Sequence, residues 1–341
     1  MTTALAVRPV FDHLSRLTDD RGLFEHALHD TPRPEHGYCL DDVARALVVV
    51  CRQPCPDTEI LRLCRHYLDF TVSAIDEGGL CHNRMDIRGR WTDDAATGDW
   101  WGRAVWALGV AAVMAPTVRL RRQALAGFHR AACARSVDLR AMTFAALGAG
   151  ELLLHDPEQH RARALLEDAR RLLVTPNQLI DQPGWLWNES RLRYGNGSVV
   201  EAVLLIGIAL PDAGAVSRGL ELLDFLLAIE VLDGHYSVTP VGGRGPGEIG
   251  PSFDQQPIEV AALADACALA YRTTGDPRWR DEVQRAWAWF EGDNDCGVPM
   301  FDATTGGGYD GLHARGPNLN QGAESTLAML STAQHAVRLV S

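Results

Sequence analysis

The chain has 341 residues, 46% hydrophobic and 22% charged, and 32 Lys+Arg against 44 Asp+Glu give a net charge of −12. A protein that binds nucleic acid by neutralising phosphates needs a basic stripe, and none is present; the arginines of 119–130 are interleaved with apolar residues at helical spacing and read as a solvated helix face. The start, Met1-Thr2-Thr3-Ala4-Leu5, lacks a basic region followed by a long apolar run, and no uninterrupted apolar stretch is long enough to span a bilayer, so neither signal peptide nor membrane segment is expected.

No Pro/Gly/Ser-rich linker or charge block interrupts the sequence, which predicts one domain over 1–341. The cysteines at 39, 51, 55, 64, 81, 133, 267 and 296 form no CxxC pair and mostly sit in apolar helical patterns, where Cys behaves as a small hydrophobe. Reduced thiols and a cytoplasmic location are the expectation. Cys81-His82 has no second ligand pair at zinc spacing, so no metal and no cofactor are expected.

A turn motif recurs along the chain: an acid or amide, a glycine, then a few extended residues. It reads Asp19-Asp20-Arg21-Gly22, Asp76-Glu77-Gly78-Gly79, Asp181-Gln182-Pro183-Gly184, Asp233-Gly234 and Asn294-Asp295-Cys296-Gly297. The final glycines are 57, 105, 50 and 63 residues apart, and the long gap is close to twice the others. A unit with a shortened connection is therefore predicted near Ala132–Ser136, giving six repeats. After each turn comes a helix apolar nearly all round: Val43–Cys51, Trp100–Ala112, Leu139–Leu154, Val199–Leu210, Ile258–Tyr271 and Ala323–Val340. Helices apolar on every face are buried. Between them lie amphipathic helices such as Glu158–Leu173 and Pro277–Phe290. Six buried and six half-buried helices in alternation predict an all-α fold, an (α/α)6 toroid of twelve main helices. Its six inner N-termini then meet at one rim, where unpaired N–H groups and aligned dipoles favour anions and hydroxyl oxygens.

The residues predicted at that rim are strongly polar. They include His36, Asp41, Asp42, Asp99, Trp101 and Arg103 from the first two units. Later units add Trp187, Glu189, Asn196, Glu201, Asp254, Gln255, Gln256, Asp310, Asn320, Gln321 and Glu324. Carboxylates and amides pair with vicinal hydroxyls, and indoles cover the C–H face of a sugar ring. Breaking a glycosidic bond needs a proton donor and a second carboxylate. Simpler roles compete. Asp41 and Asp99 stand where helix N-caps belong, and Ser198 to Glu201 matches a capping box. Glu259, after Pro257, occupies a favoured acidic position in a first turn. Asp42 exceeds what a cap requires, although Arg45 is placed to pair with it. A proton donor must stay protonated, which calls for apolar or acid-crowded surroundings. Glu189, near Trp185 and Trp187, and Asp254, beside Phe253, are the leading donors on that argument, with Asp42 the third catalytic candidate.

The runs from Gly37 to Leu47, Trp101 to Gly109, Phe253 to Glu259 and Asn320 to Ala328 resemble a bacterial family of the six-hairpin glycosidase superfamily, often fused behind a glycosyltransferase. The resemblance runs from about Leu14 to the end. It implies a toroid with a carbohydrate-directed pocket acting on a small glycan or glycoconjugate, with a separate glycosyltransferase as a possible partner. Two departures stand out: an expected Trp-x-Trp-Phe-Glu reads Trp185-Leu186-Trp187-Asn188-Glu189, and an expected Tyr-Asp-Asn-Ala reads Tyr194-Gly195-Asn196-Gly197 with one acid lost. The preferred function is glycoside hydrolysis. The alternatives are a cytoplasmic glycoside phosphorylase using Arg84, Arg88, Arg90 and Arg103 for phosphate, and a non-catalytic glycan-binding module. An epimerase relying on His36, His82, His235 or His313 is a further alternative.

Overall fold

The computed structural model describes residues 9–174 and 184–340. Residues Met1–Leu5, and Asp181, Gln182 and Pro183 of the fourth turn motif, lie outside the described residues. Among the described residues there are twelve α-helices. The inner ring is α2 (Leu40–Cys51), α4 (Asp99–Met114), α6 (Leu139–His155), α8 (Asn196–Ala209), α10 (Pro257–Thr274) and α12 (Ala323–Val340). The outer ring is α1 (Asp12–Arg16), α3 (Thr58–Ser73), α5 (Val118–Ala131), α7 (His160–Leu173), α9 (Ala213–Glu230) and α11 (Pro277–Glu291). Each inner helix packs on the next, and α12 returns to α2 to close the ring. The connection between α5 and α6 is the short one, as the spacing of the turn motifs predicts.

The inner helices approach closely because small residues let their backbones meet. A Cβ on Gly109 would lie 2.2 Å from the carbonyl oxygen of Gly148, and one on Gly148 would lie 2.3 Å from that of Val105. The α4–α6 contact therefore depends on glycine from both sides. The turn motifs close the outer helices at the same end: Asp19 Oδ1 accepts from the N–H groups of Arg21 and Gly22, Asp76 Oδ1 from Leu80, and Asn294 Oδ1 from Cys296 and Val298. Five two-stranded antiparallel ribbons decorate this end; one of them pairs Tyr38–Cys39 with Arg84–Met85 and so ties the first two units together.

Four of the six outer helices start with a side-chain N-cap; α1 and α7 start without one. Outer helices α3, α5, α9 and α11 open with a side-chain cap, from Asp57, Thr117, Asp212 and Asp276. None of α2, α4, α6, α8 and α10 does. This corrects the capping roles read from the sequence. Cys39 and Gly98 are the residues at the N-cap positions of α2 and α4, so Asp41 and Asp99 lie inside the first turn with their carboxylates released from capping. The Ser198–Glu201 capping box is absent as well, because α8 starts earlier, at Asn196. Capping satisfies backbone donors locally; at the inner rim that task is left to side chains from other units.

Candidate active site

The rim encloses a cup of two recesses. The deep one, about 250 Å³, is lined by Asp41, Arg45, Asp99, Arg103, Glu259 and Glu324, by the aromatic Trp106, Phe144 and Tyr194, and at its floor by Asp265 and Ser331. The outer one, about 340 Å³, is lined by Glu25, His26, Asp42, Asn83, Arg84, Asp310 and Asn318. Asp41, Arg45, Gln256 and Glu324 line both and form the wall between them.

Arg45 organises that wall. Its guanidinium lies 2.5 Å from Asp42 Oδ1, 3.2 Å from Asp41 Oδ2 and 2.6 Å from Glu324 Oε2. Asp41 Oδ2 also receives Arg103 Nη1 at 2.6 Å, while Asp41 Oδ1 is buried without a hydrogen-bond partner. Asp42 is buried at 4% exposure. Burial raises its pKa to about 8 against the pull of Arg45, because Glu324, Asp41 and Glu25 crowd the same region with negative charge. Asp99 is raised too, by burial, with Arg103 opposing.

Glu259 performs the capping that the inner rim lacks. Its Oε1 accepts from Gly195 N–H at 2.7 Å and its Oε2 from Asn196 N–H at 3.4 Å, so an acid from α10 closes the start of α8. Burial nevertheless pushes it up to about 7. At the floor, Asp265 is buried, but Arg52 at 2.8 Å and His335 at 2.5 Å draw its pKa down to about 2. The Arg103 guanidinium lies 4.1 Å from the Phe144 ring centroid, so that aromatic face is already covered.

No protein-family model matches this sequence, and a search of curated proteins finds no match. Solved structures do match. A cellobiose 2-epimerase from Bacillus thermoamylovorans superposes with a TM-score of 0.71 at 14% identity, over 96% of this chain and 95% of that one. A sugar epimerase from a ruminal bacterium gives 0.69 at 15% identity, over 94% of each chain. An α-1,6-mannanase from Salegentibacter gives 0.64 at 11% identity, over 95% of this chain and 94% of that one. The fold is that of the six-hairpin glycosidase-like enzymes. All three of these neighbours act on carbohydrate by their descriptions; their chemistries differ.

Against that six-hairpin frame, the residues singled out from the sequence separate into two sets. Asp41, Asp42, Asp99, Arg103, Gln256, Asp310 and Glu324 line the cup. The two leading donors lie elsewhere. Glu189 sits in a side recess that adjoins the deep one across Asp99 and Tyr194, with Arg140 at 2.8 Å and Arg193 at 3.8 Å; its indole neighbours are present, but the carboxylate faces cations in place of apolar surroundings. Asp254 lines neither recess; its side chain is half exposed and bonded to His313.

The rest have local duties. Trp101 is fully buried and donates to the Ala131 carbonyl, and Trp187 is buried beside Glu189. Asn196 bonds to both backbone groups of Arg193. Glu201 is buried below the cup. Gln255 donates to Asp295, Gln321 accepts from Thr305, Asn320 accepts from His29 N–H, and His36 packs edge-on against His26. Of the phosphate-binding candidates, Arg84 pairs with Glu25, Arg90 with Asp86 and Arg103 with Asp41. His82, next to Cys81, bonds to the Asp93 carbonyl. Glu25, Cys39 and Asp42 bring ligand atoms within 4.8 Å of one another, with Arg84 and Arg45 already paired to the two acids.

Some cup residues went unassigned in the sequence. Asp265 carried a signal, a lone acid in the middle of an otherwise apolar helix. Trp106 and Phe144 carried none, since they read as ordinary core.

Proposed function

We propose that this chain is a carbohydrate-active enzyme of the hydrolase type, breaking a glycosidic bond in the cup. The observation that carries the reading is the sharing of one guanidinium, that of Arg45, by Asp41, Asp42 and Glu324 at the wall between the recesses. Crowded acids separate into donor and acceptor roles when their environments differ. Asp42, buried and raised, holds a proton at neutral pH and is the assigned donor. Asp41, bracketed by Arg45 and Arg103 with Oδ1 unpartnered, is the assigned second carboxylate. In the reaction the bond from the anomeric carbon to the leaving oxygen breaks, and that oxygen takes the Asp42 proton. Water supplies the new bond to the anomeric carbon and loses a proton to Asp41. The α-1,6-mannanase of the same fold is described as inactive when two consecutive aspartates are changed to alanine; Asp41-Asp42 is the consecutive pair in this cup.

Among the described residues the deep recess has no lining histidine, and His26 alone reaches the outer one, which favours bond cleavage over proton abstraction from a sugar carbon. Phosphorolysis is disfavoured because the cup arginines are committed to acids. The eight unpaired thiols support a reducing, cytoplasmic setting. The test is release of reducing sugar from a panel of glycosides and oligosaccharides, followed by NMR, with Asp42→Asn as control. Epimer formation without chain shortening, or cleavage unaffected by Asp42→Asn, overturns this reading.

A further inference from the structure

Three observations bear on what the cup accepts. First, the deep recess is blind. Its floor is built from residues more than one turn into the inner helices, Val48 and Val49 of α2, Asp265 of α10, and Leu327, Ala328 and Ser331 of α12, with buried core beneath. A glycan cannot continue through that floor, which favours a chain end in the deep recess; the side recess, which shares Asp99 and Tyr194 with it, is the route an internal segment would have to take. Second, the wall of Asp41, Arg45, Gln256 and Glu324 divides two recesses of unlike character. The deep one adds to its acids an apolar lining, Val48, Val49, Ile258, Ala261, Leu327 and Ala328, suited to the C–H surface of one ring. The outer one is lined by acids, an amide pair and His26, suited to a second, more hydrated unit. Third, the charge is unbalanced. Even with Asp42 holding its proton and Asp265 paired with Arg52, the remaining lining acids, Glu25, Asp41, Asp99, Glu259, Asp310 and Glu324, outnumber Arg45, Arg84 and Arg103. Each of those arginines is already paired with an acid. A carboxylate or phosphate on the ligand would meet surplus negative charge and no free cation.

We infer that the substrate is a neutral glycan whose terminal two units fill the two recesses, the end unit in the blind one, so that the enzyme acts from a chain end. This rests on the hydrolase reading for the step and on the cup geometry for the fit. Hydrolysis at the wall releases the end unit, and the shortened chain leaves through the outer recess.

The experiment uses the full chain and neutral mannan, glucan, galactan and xylan oligosaccharides of two to six units, labelled at the reducing end. Uronate-containing oligosaccharides and the parent monosaccharides serve as comparators. Mass spectrometry follows products, and calorimetry follows binding. The expected result is shortening by one unit at a time from a single end, which the label identifies, at a rate independent of length beyond two units. Disaccharide binds at least tenfold more tightly than monosaccharide, and uronates do not bind. Asn318→Trp and His26→Trp each fill the outer recess and remove the disaccharide advantage, with circular dichroism and melting confirming the fold. Internal cleavage, uronate binding, equal mono- and disaccharide affinity, or no binding by any pool overturns the inference. Two-unit binding without cleavage supports it while rejecting hydrolysis, so the two failures are distinguishable.

Discussion

Arg45 on the first inner helix and Glu324 on the last meet at 2.6 Å, and their ion pair closes the rim of the ring where α12 returns to α2. The same guanidinium holds Asp41 and Asp42, so one side chain both completes the toroid and sets the charge of the candidate site.

Removing that side chain leaves Asp42 and Glu324 without their cation, while Asp41 keeps Arg103. Arg45→Met is expected to cost about 3–5 kcal/mol, the range for breaking a buried ion pair by deleting one partner. Glu324→Gln costs much less, because its carboxylate is about a third exposed. Urea unfolding of the two variants checks this, and equal losses would show that Arg45 is not the organising charge.

The toroid was legible in the sequence because its inner helices are apolar on all faces and its turns repeat. The site was legible only in part. Asp41, Asp42 and Glu324 could be placed at a rim, but nothing local in the chain says that Arg45 joins all three. Glu189 looked apolar from Trp185 and Trp187; Arg140, which pairs with it, lies far away in sequence on an inner helix. The capping roles failed for a related reason. Local pattern assigns a cap to the nearest polar residue in sequence, whereas the start of α8 is closed by Glu259 from the neighbouring inner helix α10.

Close packing of α4 on α6 predicts a sharp contrast between glycines. Gly109→Ala places a methyl group 2.2 Å from the Gly148 carbonyl and forces the helices apart; overpacking of this kind costs about 1–3 kcal/mol. Gly242→Ala meets nothing within 4 Å and is expected to leave stability unchanged. Comparison of melting midpoints decides it, and a neutral Gly109→Ala would show that the two helices have room to separate.

Glu201 provides a pH test away from the catalytic candidates. It is 4% exposed, its Oε2 has no hydrogen-bond partner, and burial together with the nearby Asp265 raises its pKa to about 8. Because the folded state holds this proton more tightly than the unfolded chain, its contribution is complete below about pH 4.5 and is lost as pH rises through about 8. Glu201→Gln removes that loss. The variant should gain stability relative to the parent between about pH 5 and pH 8, on the order of 1 kcal/mol per pH unit where the titration is steepest. A difference in unfolding free energy that stays constant across this range contradicts the assignment.

The last prediction separates the cup from its surroundings. Asp42→Asn deprives the leaving oxygen of its proton, and Asp41→Asn removes the carboxylate that receives the proton of water. Each should lower kcat by about 10²- to 10⁴-fold, the usual contribution of general acid or base catalysis. Asp99→Asn tests a further carboxylate of the deep recess that burial raises. Glu189→Gln and Asp254→Asn alter acids held by Arg140 and His313 that line neither recess, and should lower kcat less than tenfold. The pH profile adds a second reading. With Asp42 as donor, activity falls on the alkaline side as it loses its proton near about pH 8, and Asp42→Asn abolishes that limb. If Glu189→Gln abolishes turnover while Asp42→Asn keeps both rate and alkaline limb, the chemistry belongs to the side recess, and the wall around Arg45 is a structural support.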